Sequence, residues 1–309
     1  MLGARRAEAD RTGKYGYHLP IYRQQDYFAG SGWTPSRSTL LNLLVASAFV
    51  IHPRCEHLKR VVLTSGLLGT DDTRVTLLLP KNLPDPKAGD LKSLRVHEAF
   101  SEAVAAGKPS VSGRMWAYRG ITVLLNVFDF TVSRHRDGPD AFLENFSGKL
   151  MADCYSGDQQ IELRSRGEIQ RAACAAHARR KVFDARESYP LESSVLLGQF
   201  HQLYDTEDRA KTWSADERQA LRQQEAAPVW QSMRESLDGD AAANVLPKSN
   251  LDGALRYLRN HWEPLRLYLS DELLPINNND VEQLMKQIAL GRKNWLFIGS
   301  IAAGGGRLI

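Results

Sequence analysis

Cysteine is scarce in this chain of 309 residues: Cys55, Cys154 and Cys174 are an odd number with no paired spacing. That argues against a disulfide framework and for a reducing compartment. Long apolar runs are scarce too. The most apolar stretch, LLNLLVASAFVI over residues 40–51, is too short to span a bilayer and predicts a buried helix. The first twenty residues, MLGARRAEADRTGKYGYHLP, hold no apolar core of a leader, so no secretory signal is expected. There is no internal repeat and no low-complexity tract. Neither sign of charge dominates, since the formal net charge is only +4. Residues 1–60 nevertheless hold nine Lys or Arg against four Asp or Glu. That local excess suits a solvated face or a polyanionic partner.

What is present is enough apolar material, 43% of residues, for one large core or two modest ones. Residues 1–60 read as helical. Ser36 or Ser38 caps a helix that runs to about residue 51, and Pro53 ends it. Between 61 and 135 the pattern turns to strands: VVLTS, RVTLLL, RMWAYRG and ITVLLNVFDFTVS. SLRVHEAFSEAVAAG predicts a helix closed by Gly107, PDAFLENFSG a short helix ended by Gly148, and KLMADCYSG a strand and turn. IQRAACAAH fits strand or helix. From 178 to 270 the signal is helical, with a capping box at Ser214 and Glu217 and an apolar stripe at Leu251, Leu255, Leu258 and Trp262. Strands interrupted by helices predict a mixed α/β sheet carrying a helical insertion.

Three acids stand out. In LLGTDDTRVTLLLP, a strand over 71–78 places Asp71 on one face with Thr73, Val75 and Leu77. Asp72 falls on the other face with Arg74, which reads as the wetter one. A carboxylate on the apolar face needs a cation, and a metal supplies one. Asp153 lies at the end of a strand, before a turn, where open α/β sheets build sites. Glu282 lies near a helix start, after the cap candidates Asn278 and Asn279. Each alone has a simpler explanation: a turn cap, an Asx-turn, a favourable helix dipole. Together they suit hard-cation chemistry, in which Mg²⁺ takes oxygen ligands and leaves positions for phosphate and water.

Longer strings carry more. YGYHLPIYRQQDYFAGSGWTPSRSTL, GTDDTRV, LMADCYSG, CAAHARRKVFDA and NNNDVEQLMKQIALGRKNWLFIGS occur in this order. Together they resemble the IS66 family of bacterial insertion-sequence transposases, over about residues 14–305. The resemblance implies an RNase H-like fold with a triad of Asp71, Asp153 and Glu282. These would bind Mg²⁺ or Mn²⁺, two ions, for cleavage and strand transfer of DNA. The strand alternation independently prefers Asp71 to Asp72. The implied divisions are a helical N-terminal segment over 1–60, read as a DNA-binding remnant, a core over 61–177, a helical insertion over 178–270, and the last core helix over 271–309.

The resemblance also implies DNA as partner, both element ends and target, with a homo-oligomer assembled on it and no membrane, in the bacterial cytoplasm at the nucleoid. Arg179, Arg180, Lys181, Arg292, Lys293 and Asn294 are the candidate DNA contacts. Trp295 is expected to pack in the core. Cys174 and His177 have C-x-x-H spacing without a second pair, which reads as a structural or DNA-end element. The chain departs from family patterns at Asn277, Gln283, Asp72 and Arg74, and keeps all three acids. Relatives carry a longer N-terminal region and continue past the AAG stretch into a further helix. Here the text is IAAGGGRLI, so the chain is expected to be a transposase truncated at both ends. The alternatives are an inactive remnant that binds DNA or a full-length transposase, and a host nuclease.

Overall fold

The structure is a computed structural model that describes residues 8–153, 161–239, 244–301 and 303. Along the chain come α1 (Ile21–Ala29), α2 (Arg37–Leu63), β1 (Leu67–Leu78), α3 (Leu91–Ala105), β2 (Ser110–Gly120), β3 (Asn126–Thr131), α4 (Asp137–Phe142), β4 (Gly148–Ala152) and β5 (Ile169–Ala173). A helical run follows: α5 (Ala175–Asp184), α6 (Pro190–Arg209), α7 (Ala215–Leu221), α8 (Ala227–Asp238), α9 (Asn250–Asn260) and α10 (Trp262–Arg266). Helix α11 (Asn279–Trp295) comes next. The strands form a five-stranded mixed sheet in the order β3-β2-β1-β4-β5, so the expected α/β class holds. The chain divides into two compact units. One takes Met1–Ser65, Asp71–Phe146 and Asp280–Ile309; the other takes Gly66–Thr70 and Ser147–Asn279.

In the first unit, β2 and β3 form an antiparallel hairpin with Met115 opposite Phe130 and Ala117 opposite Phe128. One core gathers Val75 and Leu77 of β1, Val96 and Phe100 of α3, Met115, Phe130 and Ile298. Trp295 is half-buried against it, as core packing requires. Asp90 caps α3 through the Ser93 N–H, and Gly107 follows the helix with φ of 63°, the left-handed stop its position predicted.

Helix α2 departs from expectation three times. It runs through Pro53 to Leu63 instead of ending at residue 51. An interior proline costs about 3 kcal/mol. Here the helix is secured on both sides of it by the Ser36 cap and by buried Leu40, Cys55 and Val62. Val61 and Val62, expected in a strand, are therefore helical, and β1 begins only at Leu67. A β-branched residue loses less than about 0.7 kcal/mol in a helix, so packing decides. Nor is the helix buried: Leu41, Val45, Phe49 and Val50 are exposed, Phe49 by 81%. Apolar residues surround this helix on every side, and only one side packs. By length and composition it is long and apolar enough to cross a membrane.

In the second unit the start of β1, β4 and β5 run parallel, with Leu67 opposite Lys149, Gly69 opposite Met151 and Ala152 opposite Ala173. The ambiguous IQRAACAAH is both kinds of element, strand β5 followed by α5. Gly148 has φ of 139°, and a Cβ there would collide with the Gly66 carbonyl. The two glycines thus allow β1 and β4 to start side by side, with the Lys149 N–H donating to Gly66 O at 2.9 Å. The capping box at Ser214 and Glu217 forms. A π turn over Arg222–Ala226 joins α7 to α8 and buries Arg222, whose fork meets the Glu207 carboxylate at 2.7 Å on both arms. Leu251, Leu255 and Leu258 are buried along α9, while Trp262 opens α10.

Buried His261 accepts a hydrogen bond at Nδ1 from Arg171 Nη2 at 3.2 Å, and its ring meets Tyr257 edge-on. Burial, then the charges of Arg171 and Lys181, push its pKa down from 6.5 to about 4. The folded state therefore keeps a neutral ring where the unfolded chain takes a proton. The stability this contributes is full above pH 6.5 and is lost as pH falls from there towards 4. We expect His261→Gln, which keeps an acceptor and does not titrate, to flatten that part of the curve. Urea unfolding at pH 7.5, 5.5 and 4.5 measures it; parallel wild-type and variant curves would refute it.

Candidate active site

Strand β1 carries Asp71 and Asp72 into the first unit. Its inner face is as predicted, with Val75 and Leu77 buried and Arg74 exposed. The two aspartates, however, reverse the expected wetness. The Asp72 side chain is only 1% exposed, and it pairs with Arg114 Nη1 of β2 at 3.0 Å and Arg134 Nη2 beyond β3 at 2.7 Å. Two guanidiniums cover it, which a reading of β1 alone could not foresee. Asp72 thus holds three successive segments of the unit together. Asp71 is half-buried, and its Oδ1 accepts the Asp72 N–H at 2.8 Å.

Glu282 lies in the first turn of α11 and is half-buried. The same helix buries Val281 and Met285 against Ala117 of β2, with Phe128 of β3 beside them. Farther along, Arg292 Nη1 donates to Thr73 Oγ1 at 3.2 Å and to the Arg74 carbonyl. Helix α11 is therefore fixed to β1 and β2, and Arg292 is engaged in that attachment. Gly291 lies inside the helix with the Trp295 indole packed over it, so the GRKNW segment continues α11 rather than following it. Lys293 and Asn294 are exposed on its last turn.

In the second unit, β4 ends at Ala152 and Asp153 follows, half-buried; Cys154 lies outside the described residues. Asn278, 2% exposed, donates from Nδ2 to the Thr70 carbonyl at 2.8 Å, and its N–H points to Cys174 Sγ at 3.3 Å. It thus joins β1 instead of capping α11. Just ahead of the helix, Asn277 Oδ1 accepts the Asn279 N–H at 3.0 Å, an Asx-turn. Cys174 itself is buried at the start of α5, where the Ala175 N–H donates to Ile276 O at 3.0 Å. The CAAH motif therefore anchors the segment leading into α11. Sequence reasoning missed Asn278 as a tie, although three consecutive asparagines ahead of an apolar helix were the available sign.

Residues 11–92 and 93–305 match the model of a family described as Transposase IS66 family. The chain belongs to that family. Among its relatives are two uncharacterized proteins of Sinorhizobium fredii. The protein y4jD is 29% identical over 297 residues, 94% of this chain and 54% of its own length. The protein y4hP is 26% identical over 309 residues, 93% of this chain and 51% of its own length. The chain thus spans about half the length of the curated relatives it matches. No solved structure matches it.

For this IS66-family chain, the basic residues of α5 are placed in the open: Arg179, Arg180 and Lys181 are exposed, and Lys181 Nζ lies 5.0 Å from the centre of the Tyr257 ring. The opposite side of α5 is closed by buried Ala175, Ala178 and Val182.

The two aspartates respond differently to substitution. Asp72→Ala leaves Arg114 and Arg134 facing a removed partner and costs about 3 kcal/mol, in the range for a broken buried pair. Asp71→Asn changes stability by less than about 1 kcal/mol. Urea unfolding of the two variants decides; equal losses would show that Asp72 is not the structural member.

Proposed function

We propose that this chain is the catalytic part of a transposase, with Asp71, Asp153 and Glu282 as its triad in an RNase H-like core. The observation that carries the proposal is a register. Gly69 of β1 stands opposite Met151 of parallel β4. Two residues onward in sequence come Asp71, within β1, and Asp153, the residue after β4, so both proposed acids follow this register at the same interval. The tie from Asn278 to Thr70, the residue before Asp71, supports the third member. Glu282 comes four residues after Asn278, about one helical turn or 6 Å along α11. The strand order, a hairpin on one side of β1 and two parallel strands on the other, is consistent with the RNase H-like core.

The three side chains fit magnesium or manganese by chemistry: all are carboxylates and half-buried, Asp71 within β1, Asp153 just after β4 and Glu282 in the first turn of α11. Asp71, Asp153 and Glu282 would hold such ions, which when bound would stabilise the attacking and leaving oxygens of a phosphoryl displacement. The remaining work belongs to the chain. Asn278 and the Cys174 loop hold the start of α11 and so orient Glu282. Arg292 keeps the helix aligned along β1. Arg179, Arg180 and Lys181 on α5, with Lys293 and Asn294 on α11, neutralise and hydrogen-bond DNA phosphates, which makes binding steeply salt-dependent. In this scheme water attacks phosphorus in line and displaces the 3′-oxygen of the cut strand, and the freed 3′-hydroxyl then attacks a target phosphodiester in line and displaces its 3′-oxygen. No covalent protein–DNA bond is part of this scheme. DNA is the partner in this reading, in the cytoplasm, with copies of the chain assembling on it.

We expect Asp71→Asn, Asp153→Asn and Glu282→Gln each to reduce Mg²⁺-dependent nicking of plasmid DNA by at least about 100-fold, roughly 2.7 kcal/mol of barrier. Circular dichroism and salt-dependent DNA binding should stay as in the wild type. Undiminished nicking by Asp71→Asn would remove it from the triad. Wild-type DNA binding with no nicking under any divalent ion would favour a binding role instead.

A further inference from the structure

The second unit contains a cavity of about 410 Å³, lined among others by Arg171, Arg266, Gln170, Gln223 and Ser270 and by none of the three acids. Its base is unusual. Arg171 is 6% exposed, and its guanidinium makes one hydrogen bond, to the neutral His261 ring. Its Nη1 is buried without a hydrogen-bond partner, and so is Nε of Arg266. Among the described residues no carboxylate pairs with the Arg171 guanidinium. A buried cation met only by a neutral imidazole is costly, because desolvation is not repaid. Tyr268 and Arg222 show the contrast in the same unit: the Arg222 fork is satisfied by Glu207 and by two carbonyls.

Two glutamates lie at the rim and do not cancel this charge. Glu162 is exposed and accepts the Arg171 main-chain N–H at 2.8 Å. Glu263 is 81% exposed at its side chain and stands 3.6 Å from Arg266 Nη1. Exposed carboxylates are screened by water, whereas the buried guanidinium is not. Behind Arg171, the His261 ring contacts Tyr257, and Lys181 Nζ lies over that same Tyr257 ring at 5.0 Å.

We propose that this cavity is an oxyanion site that takes a phosphoryl group, with Arg171 and Arg266 as its cationic ligands and Gln170 as a further donor. Guanidinium forks match phosphoryl oxygens in two-point geometry. Two guanidiniums and an amide around one space offer more N–H donors than the two oxygens of a carboxylate receive comfortably, and a phosphoryl group offers more acceptors. The volume lies in the range of small-molecule sites, so the phosphoryl group comes on a larger body: a free nucleotide-sized molecule or the end of a DNA strand. The site is independent of the proposed triad and stands or falls without it.

Isothermal titration of the whole chain with inorganic phosphate is the first measurement. Saturable binding is expected, weakened at least tenfold in Arg171→Gln and in Arg266→Gln and unchanged in Arg256→Gln, an exposed cation outside the cavity. Circular dichroism checks folding. If Arg171→Gln is unfolded, half-exposed Arg266 carries the test. A 5′-phosphorylated single-stranded 12-mer binding at least tenfold tighter than its 5′-hydroxyl twin assigns the group to a DNA end; equal binding of the twins with retained phosphate binding assigns it to a free molecule. Absence of saturable phosphate binding up to about 10 mM, weaker than any affinity a built site would serve, overturns the proposal. So does an unchanged Kd in a folded Arg171→Gln or Arg266→Gln.

Discussion

A single buried amide joins two segments of the chain that lie 208 residues apart. Asn278 reaches Thr70, 208 residues earlier, and gives its side-chain N–H to that carbonyl. Losing such a bond while its acceptor stays buried costs about 1–3 kcal/mol, a sizeable share of a stability of 5–15. Other features take their place from it. The Cys174 sulfur receives the same residue's main-chain N–H, the Ala175 N–H meets Ile276 O, and α11 begins at Asn279, the residue after Asn278. The constraint is local in atoms and remote in sequence. It fixes where a helix starts relative to a strand that the chain left some two hundred residues before.

The first unit solves a related problem by charge. Asp72 lies where an ionised group is expensive, and two arginines from different segments meet it. The pairing adds little net stability over an apolar alternative, but it specifies which segments adjoin. Helix α11 adds a second kind of specification, since Val281 and Met285 settle on Ala117 while Arg292 holds Thr73 and Arg74. Apolar burial supplies the attraction and the polar contacts supply the alignment.

Signals that depend on a few neighbouring residues were legible in the sequence. The Ser214–Glu217 capping box, the Gly107 stop and the leucines of α9 all act within a turn or two of backbone. The inner face of β1 could be read from alternation at Val75 and Leu77. What could not be read depended on distant partners. Asp72 is dry because Arg114 and Arg134 arrive from elsewhere. Pro53 fails to end α2 because residues on both sides of it are held by packing and by a cap. Asn278 looks like a cap and is a tie, and its acceptor is a carbonyl that no local pattern marks. For the candidate site, the family-like strings supplied the proposed acids, while the means of holding α11, a side-chain bond to a distant carbonyl, left no local pattern to read.

The meeting of Gly66 and Gly148 has a further consequence. Each glycine stands five positions ahead of a proposed catalytic aspartate, Asp71 on one strand and Asp153 on the other. The pair acts as a common zero from which two parallel rulers are read. A side chain at position 148 would push the β4 origin along or away from β1, and a slip of one residue would turn every later side chain to the opposite face of the sheet. In the proposed reading, the demand for glycine at 148 is therefore a tolerance on metal spacing, set at the far end of the strands from the chemistry it protects.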